Sequence, residues 1–353
     1  MKLSKHTPIK IQGGGIAGLS AGIFLKQAGY DPIIYEKNKA CGFSRHGDIE
    51  GLETWNFCSN PIDFFTQLNI PIDFNFKPEN IITVHFDNSP SVQIVDKNPF
   101  FYFVKRGMEK GNIDKELQTF ALSIGCEIRF EYNPEIEHIS IIATGSKKAN
   151  AYIQGITFDT QLPDQTHLFL NDSITKTGYG YLVIWDGQAT LSVAYKKSES
   201  KDILNKLKNK CKEKLEIDLP KNAKSFASYG SFDINAPKVD NDGRMFIGEA
   251  GGFQDYLFGF GMNSAIHSAY YAIKSIAHSE DYKLLIKNKI IPHMKASLLN
   301  RYLFEKLNEK QKYNICKQLS NSTQPLQILQ KQSNYTFKKK LMFKLLNRKL
   351  NIL

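Results

Sequence analysis

A glycine turn between two short apolar runs constrains this chain more than any other feature. Residues Ile9-Lys10-Ile11-Gln12 lead into Gly13-Gly14-Gly15-Ile16-Ala17-Gly18, a helix-like run reaches Gln27, and Pro32-Ile33-Ile34-Tyr35 ends on Glu36. The order is strand, turn, helix, strand, acid. Gly13 suits the tight turn, Gly15 lets a pyrophosphate approach the backbone, and Gly18 lets helix and strand pack closely. The N–H groups and positive dipole end of the helix, which starts at Ile16 and Ala17, face the anion. Glu36, followed by Lys37, stands where a carboxylate accepts hydrogen bonds from ribose hydroxyls. The acid favours an unphosphorylated ribose, which both NAD and FAD carry.

The chain has 353 residues, enough for two lobes. No apolar run is long enough to span a bilayer, and the first strand begins too early to leave room for a signal peptide, so a cytoplasmic protein is expected. The five cysteines, Cys41, Cys58, Cys126, Cys211 and Cys316, are scattered and form no C-x-x-C pair. They read as reduced thiols, with no metal site. The net charge of +11 is uneven: residues 281–353 hold 16 Lys and Arg against 3 Asp and Glu, or +13, leaving −2 for residues 1–280. The basicity belongs to the tail.

After Glu36 a long connection runs through Cys41-Gly42, Arg45-His46-Gly47-Asp48 and Gly51-Leu52-Glu53-Thr54-Trp55 with no clear periodicity. Residues 61–69 predict a short helix opened by Pro61. Residues 81–86 and 91–95 predict a hairpin, 100–104 a buried strand or the edge of an apolar pocket, and 112–125 an amphipathic helix capped by Asn112. Strands are expected at 126–130 and 138–145. Residues 179–185 and 188–195 flank Asp186-Gly187, a two-residue hairpin signal. A lysine-rich helix over 200–216, a strand over 223–232 and a helix from about Gly261 complete the body.

Three elements in chain order stand out: Gly13 to Glu36, a buried strand ending in Ala143-Thr144-Gly145, and Gly248-Glu249-Ala250-Gly251 followed by Gly259-Phe260-Gly261-Met262-Asn263. With these in place, the chain resembles the FAD-dependent oxidoreductases that include aromatic hydroxylases, flavin halogenases and geranylgeranyl reductases. That class usually reads Gly-Asp-Ala where Gly248-Glu249-Ala250 stands here, and its acid binds the ribityl chain. A helix N-terminus near Gly261 and Met262 would stabilise negative charge on a reduced flavin. The resemblance therefore implies an FAD site built from Gly13, Gly15, Ile16, Ala17, Gly18, Glu36, Lys37, Ala143, Thr144, Gly145, Gly248, Glu249, Gly259, Gly261, Met262 and Asn263.

Within the class the chain is most similar to the geranylgeranyl reductase family. The cysteine loop from Cys41 to Trp55, the Arg106-Gly107 to Asp114 segment, and Gly178-Tyr179-Gly180-Tyr181 with its hairpin carry that likeness. The family's aromatic-Phe-Pro ending is absent, since Leu182-Val183-Ile184 follows Tyr181. The Trp-x-Trp-x-Ile-Pro motif of the halogenases is also absent. The resemblance makes Cys41 a proton donor or substrate-side thiol; the alternative is a small buried thiol. His46 is a candidate acid, Arg45 and Arg106 candidate partners of FAD phosphate or ring oxygens, and His267 structural. Tyr179 and Tyr181 share one strand face, which lines a pocket or belongs to the core.

The fold expected is α/β: a Rossmann-like FAD-binding part from residues 1–70, 101–150 and 240–280, a β-rich substrate part from 71–100 and 151–239, and a basic helical tail over 281–353. In the tail, apolar residues at 337, 341, 342, 345, 346, 350 and 353 are read as one helical face opposed by lysines. Such a helix lies in a membrane interface or packs on the body. A nucleic-acid partner is not expected, because no aromatic stacking surface is interleaved with the basic residues. The function implied is hydride transfer from reduced flavin to a C=C bond of an isoprenoid or other lipid-like substrate, with electrons from transiently docked NAD(P)H or a reduced carrier. An FAD monooxygenase and a non-catalytic, membrane-associated flavin-binding protein are the alternatives.

Overall fold

Two stretches with no exposed face, Ile16 to Leu25 and Pro32 to Tyr35, decide where the centre of the N-terminal half lies. A helix apolar on every side must be covered on every side. A computed structural model describes residues 7–57, 60–135, 139–145, 148–196, 199 and 202–350. His138, Cys58 and Leu353 therefore lie outside the described residues, as does the side chain of Leu350.

In chain order the elements are β1 (Ile9–Gln12), α1 (Ile16–Gln27), β2 (Pro32–Tyr35), β3 (Ile49–Glu53), α2 (Pro61–Gln67), β4 (Phe76–Glu79), β5 (Ile81–His85), β6 (Val92–Val95), β7 (Phe101–Lys105), α3 (Ile113–Ser123), β8 (Glu127–Arg129), β9 (Ile141–Ile142) and β10 (Ala151–Asp159). They continue with β11 (Gln165–Phe169), β12 (Tyr179–Trp185), β13 (Gln188–Tyr195), α4 (Ile203–Leu215), β14 (Lys224–Gly230), β15 (Met245–Phe246) and a 3-10 turn at Gly248–Gly251. The last part is helical: α5 (Met262–His278), α6 (Tyr282–Lys289), α7 (Ile291–Phe304), α8 (Glu309–Ser320), α9 (Pro325–Ser333) and α10 (Phe337–Leu350).

Three sheets result. The first is parallel, in the order β15-β9-β1-β2-β8. β1 is followed by β2 on one side and has β9 on the other, so a crevice opens beyond its carboxyl end, where such sheets hold ligands. α1 lies against β1, β2, α3 and α5. The second sheet has seven strands, β14-β10-β13-β12-β11-β5-β6, antiparallel except where β11 meets β5. Its β12–β13 turn has both Asp186 (φ 53°) and Gly187 (φ 71°) in the left-handed region, as the Asp-Gly signal predicts. The third sheet, β3-β7-β4, was not legible as such: residues 49–53 were read as irregular connection, and they form a strand paired with β7.

The large sheet is covered on both faces. Val183 and Trp185 point into a cluster with Phe86, Phe100, Cys316 and Leu326, whereas Leu182 and Ile184 meet Leu191, Leu207 and Cys211 beneath α4. The C-terminal helices are tied to this part by Lys312, whose buried ammonium lies 2.6 Å from Asp172, and by Lys196, 2.7 Å from Glu305. The four described cysteines are buried free thiols. Among the described residues no helix is long and apolar enough to cross a membrane.

One expectation is corrected in the tail. The apolar residues of α10 do not form a single face. Phe343 and Leu346 pack against the core, whereas Phe337, Leu341 and Leu345 are exposed.

Candidate cofactor site

The glycine turn is built as its spacing requires. Gly13 has φ +103°, and a Cβ placed there would lie 2.4 Å from the Ala143 carbonyl oxygen. A Cβ on Gly18 would lie 1.8 Å from the Gly13 carbonyl oxygen, so any side chain there drives the helix off the turn. Gly15 differs. A Cβ there would meet nothing within 4 Å, and the residue sits at the N-cap of α1 facing open space. Ile16 and Ala17 are buried in the first helical turn.

Glu36, at the end of β2, turns its carboxylate onto this loop. It accepts the Gly14 N–H at 2.8 Å, and its other oxygen accepts the backbone and side-chain N–H groups of Asn38 at 2.9 and 2.7 Å. Lys37 is exposed beside it. Cys41 lies beneath the turn, its Sγ 2.8 Å from where a Gly14 Cβ would sit, and burial pushes its thiol pKa up. Of the two readings of Cys41, the geometry favours the small buried thiol that fills space.

The opposite wall comes from later in the chain. Ala143 is buried at the end of β9, Thr144 is exposed, and Gly145 (φ +74°) brings the backbone to Glu249, whose Oε2 lies 3.6 Å from where a Gly145 Cβ would be. Glu249 Oε1 accepts the Ser231 N–H at 3.1 Å, and burial raises the carboxyl pKa. The Gly248 N–H donates to Ser268 Oγ on α5 at 2.9 Å, and a Cβ on Gly248 would sit 2.8 Å from the Ala17 Cβ. The 3-10 turn thus joins the start of α1 to the N-terminal half of α5. Gly259 is exposed, Gly261 caps α5, and Met262 and Asn263 are buried in its first turn.

Arg45 and Arg106 were expected on FAD oxygens; the structure places both on carboxylates. Arg106 is buried and grips Asp114 through Nε (2.8 Å) and a terminal nitrogen (2.9 Å), while its other terminal nitrogen lies 2.5 Å from Glu50. Arg45 reaches the second oxygen of Glu50 at 2.9 Å. Asp114 also accepts the Gly107 N–H, which fixes β7 to the start of α3. The two guanidiniums hold Glu50 down at about 2 against the penalty of burial, and Arg106 likewise keeps Asp114 low. Arg106 is a clamp between β3, β7 and α3, not a free anion ligand.

Beyond this cluster the packing becomes aromatic. Tyr179 and Tyr181 share one face of β12, with ring centroids 6.3 Å apart, and Tyr179 donates its hydroxyl hydrogen bond to the Phe258 carbonyl. Trp55 meets Phe260 edge-on at 5.2 Å and Phe258 at 6.4 Å, and Phe101 lies 6.1 Å from Phe260. Both tyrosines keep some solvent contact although protein surrounds them, and burial raises both phenol pKa values. They pack against the buried cluster that holds Trp55, Phe101 and Phe103. His46 is not part of the box; it is exposed and stacks on Phe226 at 5.6 Å. His267 is packed between Phe57 and Phe64, at 4.3 and 4.2 Å, in keeping with a structural place.

Sequence reasoning missed Glu53. It ends β3, is fully buried, and its carboxyl pKa is pushed up to about 8 by burial. One oxygen accepts from Asn56 Nδ2 at 3.1 Å; the other has no partner among the described residues. Asn263, in the first turn of α5, donates to the Glu53 carbonyl at 3.3 Å, and its own side-chain oxygen is likewise unpartnered. The signal available was a second carboxylate in an otherwise apolar five-residue run.

No protein-family model and no curated protein matches the chain. Solved structures do. The chain is similar to a geranylgeranyl bacteriochlorophyll reductase-like protein from Thermoplasma acidophilum (TM-score 0.71, 15% identity, 97% of this chain and 98% of that one). It is also similar to the flavin-dependent brominase Bmp2 (TM-score 0.68, 16% identity, 97% and 100%). A third likeness is to CtdE, crystallised with FAD and substrate (TM-score 0.60, 16% identity, 89% and 90%). The fold is that of FAD-dependent oxidoreductases.

The residues present fit the cofactor of that fold. The space beside Gly15 leaves room for a pyrophosphate at the start of α1, Glu36 stands at the end of β2 for a ribose, and Glu249 lies across the crevice. Two buried oxygens without donors, on Glu53 and Asn263, lie where α5 begins.

Proposed function

We propose that this protein is an FAD-dependent oxidoreductase that reduces C=C bonds of an isoprenoid or other lipid-like substrate. Two features together carry the reading. The glycine turn, Glu36 and Glu249 form a dinucleotide cradle, and Tyr179, Tyr181, Trp55, Phe258 and Phe260 form an aromatic box. Residues 1–70, 101–150 and 240–280 would serve the cofactor, and 71–100 and 151–239 the substrate. FAD, when bound, supplies the hydride chemistry. NAD(P)H docking transiently, or a reduced carrier, would supply the electrons.

The chain's own part is to exclude water, orient an apolar substrate and hold a proton. The aromatic box offers an apolar wall, and burial pushes both phenol pKa values further above their ordinary, already neutral range. Glu53 keeps its proton for the same reason. Asn56, its hydrogen-bond donor, also lines a cavity of about 40 Å³ with Trp55, Asp255, Phe258 and Ser297.

The test of the reading is the visible spectrum of the purified chain, followed by anaerobic reduction and re-exposure to air. Flavin bands, slow re-oxidation and saturation of an added polyprenyl substrate support it. Fast re-oxidation with a hydroxylated product points to a monooxygenase, and a colourless chain that refuses added FAD removes both.

Glu53 has its own test. A folded chain keeps this proton up to about pH 8, whereas an unfolded one releases it near the ordinary 4.5. The folded state therefore binds more protons between those values, and its stability falls as pH rises through the window. At about 1.4 kcal/mol per pKa unit the change is on the order of a few kcal/mol. Glu53→Gln is expected to flatten the melting profile and to melt higher than the parent at pH 8. It should also remove a protonated-carboxyl band from the infrared spectrum. A parent profile already flat over this range rejects the proton-holding role.

A further inference from the structure

The last helix carries one more apolar face than its packing uses. α10 rests on the body through Phe343 and Leu346, and Lys339 reaches Asn300 Oδ1 on α7 at 3.0 Å. Those residues account for the inner side. At about 100° per residue, the order round the helix from Phe343 is Lys340 and Lys344, then Phe337, Leu341 and Leu345, then Lys338. The three apolar side chains of the outer stripe follow one another at one-turn intervals and are 82%, 53% and 76% exposed. Lysines flank them on both sides.

Charge says what covers this stripe. Residues 281–353 carry +13 against −2 for the rest of the chain. Among the described residues no ion pair involves Lys338, Lys340 or Lys344, whereas Lys26, Lys105, Lys196 and Lys312 of the same chain all face carboxylates. On the inner side of α10, Phe343 borders a cavity of about 360 Å³ lined by Lys283, Lys287 and Lys295 together with Ile286 and Ile291. No acidic residue lines it. A second copy of the chain would bring the same positive charge to the contact and be repelled. An anionic surface with an apolar layer beneath is the complement.

We propose that α10 docks on an anionic lipid bilayer, with Phe337, Leu341 and Leu345 entering the boundary between headgroups and acyl chains and the flanking lysines meeting lipid phosphates. The proposal is independent of the cofactor reading, because none of these residues touches the crevice. It deepens that reading only in placing an enzyme for a lipid-like substrate at the surface where such a substrate resides.

The test is flotation of the full chain with vesicles of phosphatidylcholine alone and of phosphatidylcholine mixed with phosphatidylglycerol. Binding is expected to the mixed vesicles, not to the neutral ones, and to be released by high salt. At about fivefold per lysine, K338E/K340E/K344E should lower partitioning on the order of a hundredfold. L341D/L345D should abolish it. All five side chains face outward, so circular-dichroism melting and flavin content of these variants should match the parent. Failure of the parent to float with anionic vesicles overturns the proposal, as does equal flotation of the variants. So does a parent dimer that L341D/L345D converts to monomer, which would assign the stripe to a second copy.

Discussion

Gly15→Val is expected to leave the fold standing and strip it of flavin. The backbone at Gly15 is extended (φ −77°, ψ −176°), a conformation any residue adopts, and a Cβ there meets nothing within 4 Å. The cost to folding is that of an N-cap substitution, about 1 kcal/mol, visible as a small drop in melting temperature. The side chain fills the one direction from which a pyrophosphate can approach, so the dissociation constant of FAD should rise at least about a hundredfold, or roughly 3 kcal/mol. Absorbance of the purified variant and titration with FAD measure this directly. Gly18→Val gives the contrast: with 1.8 Å to the Gly13 carbonyl oxygen the fold itself should fail. A Gly15→Val chain that binds FAD like the parent would mean that the crevice beside α1 is not the cofactor's.

A large loss of stability in a chain that still folds is expected at Arg106. Arg106→Ala leaves the buried Asp114 without its guanidinium and leaves Glu50 with Arg45 alone. Removing one partner of such a cluster typically costs about 3–5 kcal/mol, because the remaining charge is left without compensation. Urea unfolding should show this as a lower midpoint at unchanged slope. Arg106→Lys should recover only part, since an ammonium cannot span both Asp114 oxygens and Glu50 at once. Arg106→Ala combined with Asp114→Ala should cost less than the sum of the two. The pH dependence has a definite sign. Glu50 is held near 2 against an ordinary 4.5, so its contribution is present above the ordinary value and is lost as pH falls towards 2. That acid-side loss should be smaller in Arg106→Ala.

The correction at Arg106 shows where sequence reasoning stopped. An arginine followed by glycine beside a cofactor motif reads as an anion ligand. Its partners here are Asp114, eight residues ahead, and Glu50, on a strand that no periodicity announced. Ile49-Glu50-Gly51-Leu52-Glu53 has a carboxylate on each face and a glycine between, so nothing in its pattern says strand. It becomes one because β7, an almost wholly buried apolar strand, supplies a ladder for it to join. Once it is a strand, alternation sends Glu50 to the arginines and Glu53 to the start of α5. α10 teaches the same lesson. Its apolar residues were countable, but α7 decided which of them face inward.

The sequence by itself determined the local units: the strand–turn–helix around Gly13 to Gly18, the buried β2 ending in Glu36, the Asp186-Gly187 hairpin, and the small-residue helix after Gly261. Each is set by contacts between residues close in the chain, where spacing is geometry. Only the tertiary structure decided that Arg45 and Arg106 hold carboxylates, that Cys41 lies buried beneath Gly14, that Glu53 is fully buried, and that α10 keeps an uncovered stripe. Most of those outcomes depend on partners tens to hundreds of residues away, as Glu50 is from Arg106 and Asn263 from Glu53. Sheet register and helix packing choose such partners, and a buried charge or an exposed apolar face acquires its meaning only when they are in place.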